Sequence, residues 1–485
     1  MLLTVILLVL NVSLLLTALV FMVESFREHE PRAPWVGAAW AALHLVLTGF
    51  ILWAPWVRFP LALLFGLGLA LGLVLLIPPR KKARSLKGAL GYAAGDPELI
   101  TPFDEREVVF ARNRGLKPGM EEYRRYYEAH PEHKAYDDKR RERGGPLGRP
   151  GSIDHGHRPN VAMLKSSFLL ADFLGPQAVV EPEEAAAAGT YAQAAQVEAF
   201  ALSPERASQV VKGWARHLGA DLVGICRTDP RWAYSHRGEI HYGNWEDWGR
   251  AIQPPLPYTV VIATRMDHRQ TGAAPHTPTV VESGLGYAKG AYVTTILAQW
   301  FGAMGYRATA EHNRHYDSLM VPLAVEAGLG ELGRQGYLIA DKFGAAVRLF
   351  ACQTDMPLLP DRPKDLGAEE FCRRCLKCAL ACPSGSIPLE REQTVSRGLL
   401  RWELDQESCF DYWGKVGTDC CICMAICPFS RPHRSIHRMV RWFLKRSALA
   451  RILFPHLDNL IYGRRWKPRP PPDWIDHRRV VPDRP

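Results

Sequence analysis

Of the 11 cysteines in the chain, all but Cys226 and Cys352 fall between residues 372 and 427. The first run is Cys372-x2-Cys375-x2-Cys378-x3-Cys382-Pro383. Thiolates at these spacings lie on one tight loop. Three can grip one iron–sulfur cubane, and the fourth, ahead of proline, points away to a second. The second run, Cys409-x10-Cys420-x2-Cys423-x3-Cys427-Pro428, repeats that ending with a stretched first spacing. Two runs of four are enough for two [4Fe–4S] clusters. By the crossover pattern, Cys372, Cys375, Cys378 and Cys427 hold one, and Cys382, Cys409, Cys420 and Cys423 hold the other. Cys421 abuts Cys420 and breaks the x2 spacing, so it is read as a non-ligand. Zinc and disulfides are the competing readings, and a disulfide framework belongs to small secreted chains.

Two cubanes make a one-electron wire. A wire needs far less chain than the globular stretch that precedes these cysteines, so a second redox centre or a substrate site is expected there. The stretch opens with a helix over 203–218, followed by the short buried strand Leu222-Val223-Gly224-Ile225-Cys226. Val260–Thr264 and Val347–Ala351 read as two more strands, and Val280–Met304 as a long helix with Gly and Ala on one side. Helices alternating with strands argue an α/β or α+β core. Cys226 and Cys352 fall in or beside these strands and read as core residues.

Upstream, Met1–Val23, Trp35–Val57 and Pro60–Ile77 are apolar runs. A membrane span needs ~20 such residues, so all three are expected to span. Trp35, Trp40, Trp53 and Trp56 fit interfacial anchors. No Lys or Arg precedes Arg27, unlike the basic start of a cleaved signal peptide. Arg27 and Arg32 occupy the first loop and Arg58 the second, while Arg80, Lys81, Lys82, Arg84 and Lys87 follow the third run. Placing the N-terminus outside puts seven of these inside and one outside, so the C-terminal part is expected to face the cytoplasm from an inner membrane.

Composition agrees with this division. The 485 residues are 47% hydrophobic and 23% charged, which excludes wholesale disorder, collagen and coiled coil. A mean hydropathy of −0.13 excludes a chain that is membrane from end to end. The net charge of +10 is spread out, with clusters beside apolar segments, and reads as membrane-surface chemistry rather than nucleic-acid binding. The expected units are 1–80, a three-helix anchor; 81–200, a juxtamembrane and N-terminal segment, polar and turn-rich over 88–160; 201–365, the core; 366–432, a ferredoxin-like two-cluster module; and 433–485, a basic tail. In that tail Arg438, Arg441, Lys445, Arg446 and Arg451, with Trp442, Phe443 and Leu444, suit a helix resting on anionic lipid.

Several stretches resemble the reductive dehalogenase family, over roughly residues 100–465. They are Phe103-Asp104-Glu105-Arg106-Glu107-Val108-Val109-Phe110-Ala111-Arg112, then Tyr126-Tyr127 and His130-Pro131-Glu132. Gly219–Ile225 and Asp229-Pro230-Arg231-Trp232-x-Tyr234-Ser235 follow, then Gly284-Leu285-Gly286-Tyr287, the glycine run Gly328–Gly336, the cysteine pattern and Leu457–Gly463. The resemblance implies an α/β (α+β) corrinoid-binding core and two [4Fe–4S] clusters. It implies reductive removal of halide from a small organohalide. Respiratory members of the family resemble exported proteins with a twin-Arg signal and a separate membrane partner. This chain instead carries spans of its own.

The resemblance also suggests roles. No Asp-x-His-x-x-Gly run is present; Asp154-His155-Gly156-His157 and Asp267-His268 do not fit it. A base-off cobalamin without a protein axial ligand is therefore implied, with Gly328, Gly330, Gly333 and Gly336 letting backbone approach the cofactor. Removing halide reductively takes two electrons and one proton. A phenol, with an ordinary pKa of ~10, suits the proton if a nearby cation lowers that value. Matched to the family pattern, Tyr287 is the donor, Arg348 the cation and Asn313 a polar lining residue. Tyr292 and Lys342 are the substitutes, and His312 and His315 flank Asn313. Electrons would come from a quinol pool, a ferredoxin or a flavoprotein. Two other readings compete: an epoxyqueuosine reductase-like enzyme acting on tRNA, and a membrane-bound electron carrier.

Overall fold

The computed structural model describes residues 1–77, 100–143, 158–188 and 198–475. The basic run Arg80–Lys87, the Gly144–Pro146 turn and Asp154–His157 lie outside them.

The apolar runs form α1 (Leu2–Arg27), α2 (Ala33–Trp53) and α3 (Arg58–Leu75). With the short Pro55–Val57 turn leading into the third, each is long and apolar enough to cross a membrane. The second helix stops at Trp53 rather than Val57. Pro55 biases the residue before it away from helical backbone, and Arg58 turns back to bond the free carbonyls of Ile51 (2.9 Å) and Leu52 (3.1 Å). Inside the α1–α2 pair, Asn11 Nδ2 donates to the His44 carbonyl and to Thr48 Oγ1, both at 2.8 Å. Trp40 Nε1 donates to His44 Nε2 at 2.7 Å. An indole only donates, so His44 carries its proton on Nδ1 and gives it to Asn11 Oδ1 at 2.7 Å. The polar side chains of Asn11, His44 and Thr48 thus satisfy one another inside an otherwise apolar helix pair.

The soluble part is built on a five-stranded antiparallel sheet. Its strands are β1 (Val179–Val180), β2 (Leu222–Arg227), β3 (Tyr258–Arg265), β4 (Ala308–Glu311) and β7 (Val347–Thr354), in the order β1-β4-β7-β3-β2. Two small hairpins, β5 (Gly330–Leu332) with β6 (Leu338–Ala340) and β8 (Thr394–Ser396) with β9 (Leu399–Arg401), complete the strands. The mixed helix-and-sheet layering matches the expected class, and the pairing places it at the α+β end. Side chains alternate across the sheet. Val260 and Ile262 of β3 and Phe350 and Cys352 of β7 enter one core. Val261, Ala263 and Val347 enter the other.

The helices of the N-terminal segment are α4 (Val109–Gly115), α5 (Glu121–Ala129), α6 (Pro131–Arg143), α7 (Arg158–Leu174) and α8 (Pro182–Ala187). Residues 109–143 are thus largely helical rather than turn-rich. Buried pairs explain it: Arg112 bonds Asp137 at 2.7 Å, and Tyr127 donates to the same carboxylate at 2.9 Å. The core adds α9 (Pro204–His217), α10 (His268–Gly272), α11 (Thr277–Ala303) and α12 (Met320–Glu326). The 27-residue α11 crosses the sheet on the Phe350 side. It lies close because a Cβ at Gly290 would stand 2.3 Å from the Phe350 ring, and one at Gly286 would stand 2.9 Å from Arg348 Cγ. The cysteines are carried by α13 (Ala368–Cys375), α14 (Lys377–Leu380), α15 (Gln406–Val416), α16 (Ile422–Ala425) and their joining loops, followed by α17 (Ser435–Arg446) and α18 (Ala448–Tyr462).

The tail does not behave as a free basic face. Arg441 is buried and donates to the Arg431 carbonyl at 3.0 Å, and Lys445 pairs with Asp341. Arg451 bonds the Leu444 carbonyl at 2.7 Å and Glu370 at 3.0 Å. These three cations hold the tail on the protein, while Arg438, Trp442 and Arg446 stay exposed.

The loop between α1 and α2 is drawn into the soluble part. Glu30, buried, accepts from both Arg431 and Arg469, with His268 at 3.8 Å. Glu28 pairs with His437 at 3.1 Å. Burial alone would raise the Glu30 carboxyl, but Arg431, His268 and Arg469 outweigh it and hold the group far below its ordinary 4.5. A depressed carboxyl stabilises fully above its unfolded value and loses that contribution as pH falls through it. Glu30→Gln is therefore expected to lower unfolding free energy at pH 7 by about 1.5–3 kcal/mol, the worth of hydrogen bonds to charged groups. Its difference from the parent protein should shrink once pH drops below 4.5. Denaturation of the detergent-solubilised pair of proteins across that range checks it, and a pH-independent difference counts against the ion pairs as the cause.

Candidate active site

The cysteines meet in two groups. Burial is the main reason that Cys372 is pushed up to about 12, and the facing Cys427 adds to it. Cys375, well above its ordinary value by burial, feels Cys372 and Cys378. Cys378 feels Cys372 and Cys427. In the second group burial pushes Cys409 up to about 11, with Cys382 adding to it. Cys420, at about 12 by burial, feels Cys409 and Cys382. Cys423 is raised by burial, then by Cys420 and, across the gap between groups, by Cys378. Cys382 differs: burial raises it, but the Ser384 hydroxyl at 3.3 Å and backbone N–H groups bring it below the ordinary thiol value. Thiols crowded this way do not ionise unaided. They suit a cationic metal or cluster whose charge stabilises the thiolates, so the donor set fits two four-thiolate centres.

The second group opens on a cavity also lined by Gln335, Tyr337 and Arg348. Arg348 stands on β7 with the parity of Phe350, so the sheet's alternation aims it at α11. Its guanidinium lies over the Tyr287 ring, 5.3 Å from the centroid, within cation–π range. Its Nη2 donates to Ser283 Oγ, one helical turn before Tyr287, and to Asp419 at 3.0 Å. Burial opposes the Arg348 charge, while Tyr287, Cys421 and Asp419 together hold it on. Cys421 turns its sulfur toward the same group, 3.9 Å from Nη2. Phe350 and Phe168 flank Tyr287 at 6.3 and 5.6 Å between ring centroids.

Asn313 is not in direct contact with that pair. It sits at the tip of the His312–His315 turn, where each of these histidines donates its N–H to the other's carbonyl (2.7 and 2.9 Å). The next residue, Arg314, covers Phe168, which in turn meets Tyr287. Several polar side chains are buried around this turn. Asn313 Oδ1, His312 Nε2, His315 Nδ1 and His241 Nε2 are buried without hydrogen-bond partners among the described residues. Burial lowers His312 and His241 to about 4, so both imidazoles are neutral at pH 7. Burial also raises Glu311 to about 8, making it a neutral acid there. Glu239 is anchored by Arg114 at 2.7 Å and by the Tyr316 hydroxyl at 2.6 Å.

Other sequence-derived positions fall elsewhere. Tyr292 and Lys342 are exposed. Gly328, at φ +71°, would place a Cβ 2.4 Å from the Arg362 carbonyl, and Gly330 would place one 2.2 Å from the Ile339 carbonyl. The chain's own backbone therefore accounts for those two glycines. Gly333 and Gly336 bracket Arg334 and Gln335. Arg334 is fully buried, stacked over Trp402 at 4.4 Å and bonded to the Cys372 carbonyl at 3.2 Å. Arg334, Asp419 and Ser283 were not read as functional from the sequence. Asp419 lies directly before Cys420 in an otherwise apolar cysteine loop, and that was the available signal.

No family model matches the chain. It is 31% identical over 292 residues to the tetrachloroethene reductive dehalogenase of Sulfurospirillum multivorans, covering 54% of this chain and 58% of that one. It is 32% identical over 281 residues to that of Dehalobacter restrictus, covering 49% and 51%. The chain thus spans little more than half the length of these curated relatives. Among solved structures, the catabolic reductive dehalogenase NpRdhA superposes with a TM-score of 0.58 at 22% identity, over 76% of this chain and 47% of that one. Sequence and fold together relate the chain to the reductive dehalogenases.

Proposed function

We propose that this chain, related to the reductive dehalogenases by sequence and sharing their fold, is a membrane-anchored enzyme that removes halide reductively from a small organohalide. The observation that carries the proposal is that the second group of four thiols and a half-buried Arg348 line one cavity, with the Arg348 guanidinium lying over the Tyr287 ring. The net reaction takes an organohalide, two electrons and one proton to the hydrogenated product and free halide.

When bound, two [4Fe–4S] clusters would pass single electrons and a corrinoid would supply low-valent cobalt chemistry at the carbon–halogen bond. Cys372, Cys375, Cys378 and Cys427 are assigned to one cluster, and Cys382, Cys409, Cys420 and Cys423 to the other. A corrin ring carries amide side chains that both donate and accept. The unpartnered polar atoms of Asn313, His312 and His315 suit such groups, and the backbone at Gly336, where an added Cβ would meet only Leu404 at 3.9 Å, leaves room for close approach, whereas Gly333 is closed in by Gln335 and Ile339. Tyr287 gives the proton from its hydroxyl. Arg348 stabilises the negative charge left on the phenol, and electrostatics of this kind act strongly where water is excluded. Phe168 and Phe350 hold the ring in place. The three apolar helices would anchor the enzyme, and the bias of basic residues toward the first loop and the stretch after the third helix supports a catalytic part on the cytoplasmic side of the inner membrane. A quinol, ferredoxin or flavoprotein delivers the electrons.

The test is halide release from brominated and chlorinated phenols, alkenes and alkanes by anaerobically reduced protein, with iron and cobalt measured on the same sample. The proposal expects release of halide, about eight iron per chain for two cubanes, and stoichiometric corrinoid. Loaded protein that releases no halide from any member of the panel overturns it.

A further inference from the structure

Three elements meet at one carboxylate. Asp419 Oδ1 accepts from Thr279 Oγ1 at 3.1 Å, and Oδ2 accepts from Ser283 Oγ and from Arg348 Nη2 at 3.0 Å. Thr279 and Ser283 belong to the first two turns of α11, Arg348 to β7, and Asp419 to the loop that enters α16. The carboxylate is 8% exposed and the guanidinium 16%. Among the described residues, Asp419 is the ion-pair partner recorded for Arg348. Gly286 makes the meeting possible, since a Cβ there would stand 2.9 Å from Arg348 Cγ.

The loop itself is strained. Cys420 and Cys421 both take left-handed backbone, at φ +59° and +58°, which side-chain-bearing residues rarely adopt. It is held by Thr418, whose hydroxyl donates to the Pro275 carbonyl and accepts from the Cys420 N–H at 3.2 Å. The Asp419 carbonyl accepts from the Cys421 N–H at 2.8 Å. The same residue that shapes the turn bearing Cys420 therefore also fixes the cation on Tyr287.

We propose that Asp419 is a positioning residue that couples the proton-donor side of the site to the second thiol group: it holds Arg348 over Tyr287 and balances its charge beside Cys420 and Cys423. The proposal rests on the assignment of Tyr287, Arg348 and the second cluster given above. Two consequences follow from charge and reach. Without the carboxylate's charge, Arg348 keeps a cation beside the second cluster that nothing offsets, and reduction of that cluster becomes easier. Without its geometry, Nη2 loses its anchor and the guanidinium leaves the ring. The Asp419 carboxylate is committed to Thr279, Ser283 and Arg348, so substrate affinity is not expected to change.

Asp419→Asn, studied in the loaded full-length protein, should raise the midpoint potential of one cluster in an EPR-monitored titration and leave the other in place. It should lower kcat by about 10–100-fold, the usual cost of losing an outer partner of a metal site, with KM near the parent value. Asp419→Glu keeps the charge and moves the carboxylate, so it should hold the potential and still lose kcat. Ser283→Ala removes one donor to the carboxylate from a residue remote from the cysteine loop. It should keep both clusters and lower kcat by less than Asp419→Asn does. Loaded Asp419→Asn with parent potential and parent kcat overturns the proposal. If that variant cannot hold iron, Ser283→Ala decides: parent kcat and parent potential in it overturn the proposal, and a lowered kcat at full iron supports it. The potentials need no organohalide, so a parent protein that releases no halide sinks the assigned function while the shift in Asp419→Asn still judges the coupling.

Discussion

Replacing Tyr287 by Phe is expected to cut halide release by ~10²–10⁴-fold, the range that positioned general acids contribute, with iron and corrinoid contents unchanged. The substitution removes one oxygen and keeps the ring. The ring is what the packing uses: Phe168 and Phe350 contact it edge-on or tilted, and Arg348 covers its face. Nothing in those contacts needs the hydroxyl, so the fold has no reason to respond. Steady-state turnover, together with cofactor content on the same preparation, separates a lost proton from a lost site. Near-parent turnover in loaded Tyr287→Phe would remove Tyr287 as the donor. Tyr292 and Lys342 would be poor replacements, because both are exposed. The Tyr316 hydroxyl is already committed to Glu239 at 2.6 Å.

Arg348→Leu should lower turnover by about 10²–10³-fold, the loss typical of removing one electrostatic stabiliser of a transition state. It should also destabilise the fold, because it leaves the Asp419 carboxylate buried without its cation. Breaking a buried ion pair from one side costs about 3–5 kcal/mol. Arg348→Lys tests the two effects apart. A lysine keeps the charge, so much of the stability should return. It cannot bridge Ser283 and Asp419 while covering a ring with a planar group, so turnover should stay low. Residues that act as one unit are not additive. The Tyr287→Phe, Arg348→Leu double variant should therefore be little worse than either single one. Multiplicative losses would show that the two residues act separately.

Local spacing was enough to read the cysteine runs, the three apolar spans and the strands at residues 222, 260 and 347, because each is a pattern written in neighbouring residues. Ligand spacing reflects one loop, a span reflects an unbroken apolar length, and a strand reflects a short β-branched run. The long helix was legible for the same reason, and its glycines hinted at close packing. Boundaries were less legible where a single residue decided them, as Pro55 and Arg58 did at the end of the second span. The helices of residues 109–143 were missed because they are charged on the surface and are held by pairs distant in sequence, such as Arg112 with Asp137 and with Glu407. In the basic tail, the inward role of Arg441, Lys445 and Arg451 was missed for a related reason. A row of arginines looks the same in sequence whether it faces lipid or reaches the Arg431 and Leu444 carbonyls, as Arg441 and Arg451 do.

The sequence by itself determined that this chain carries two sets of four thiols and three apolar helices, and that Tyr287 and Arg348 deserved attention by their resemblance to a family. Only the tertiary structure decided what those residues do to one another. Strand parity put Arg348 on the helix side of the sheet, the small face of α11 let it reach Tyr287, and a strained turn brought Asp419 to it from more than 70 positions along the chain. The loop at Glu30 reached Arg431 and Arg469 across some 400 positions in the same way. Sequence patterns encode forces between near neighbours. Ion pairs and buried hydrogen bonds of this kind depend on which surfaces the fold brings together, and no local spacing records that.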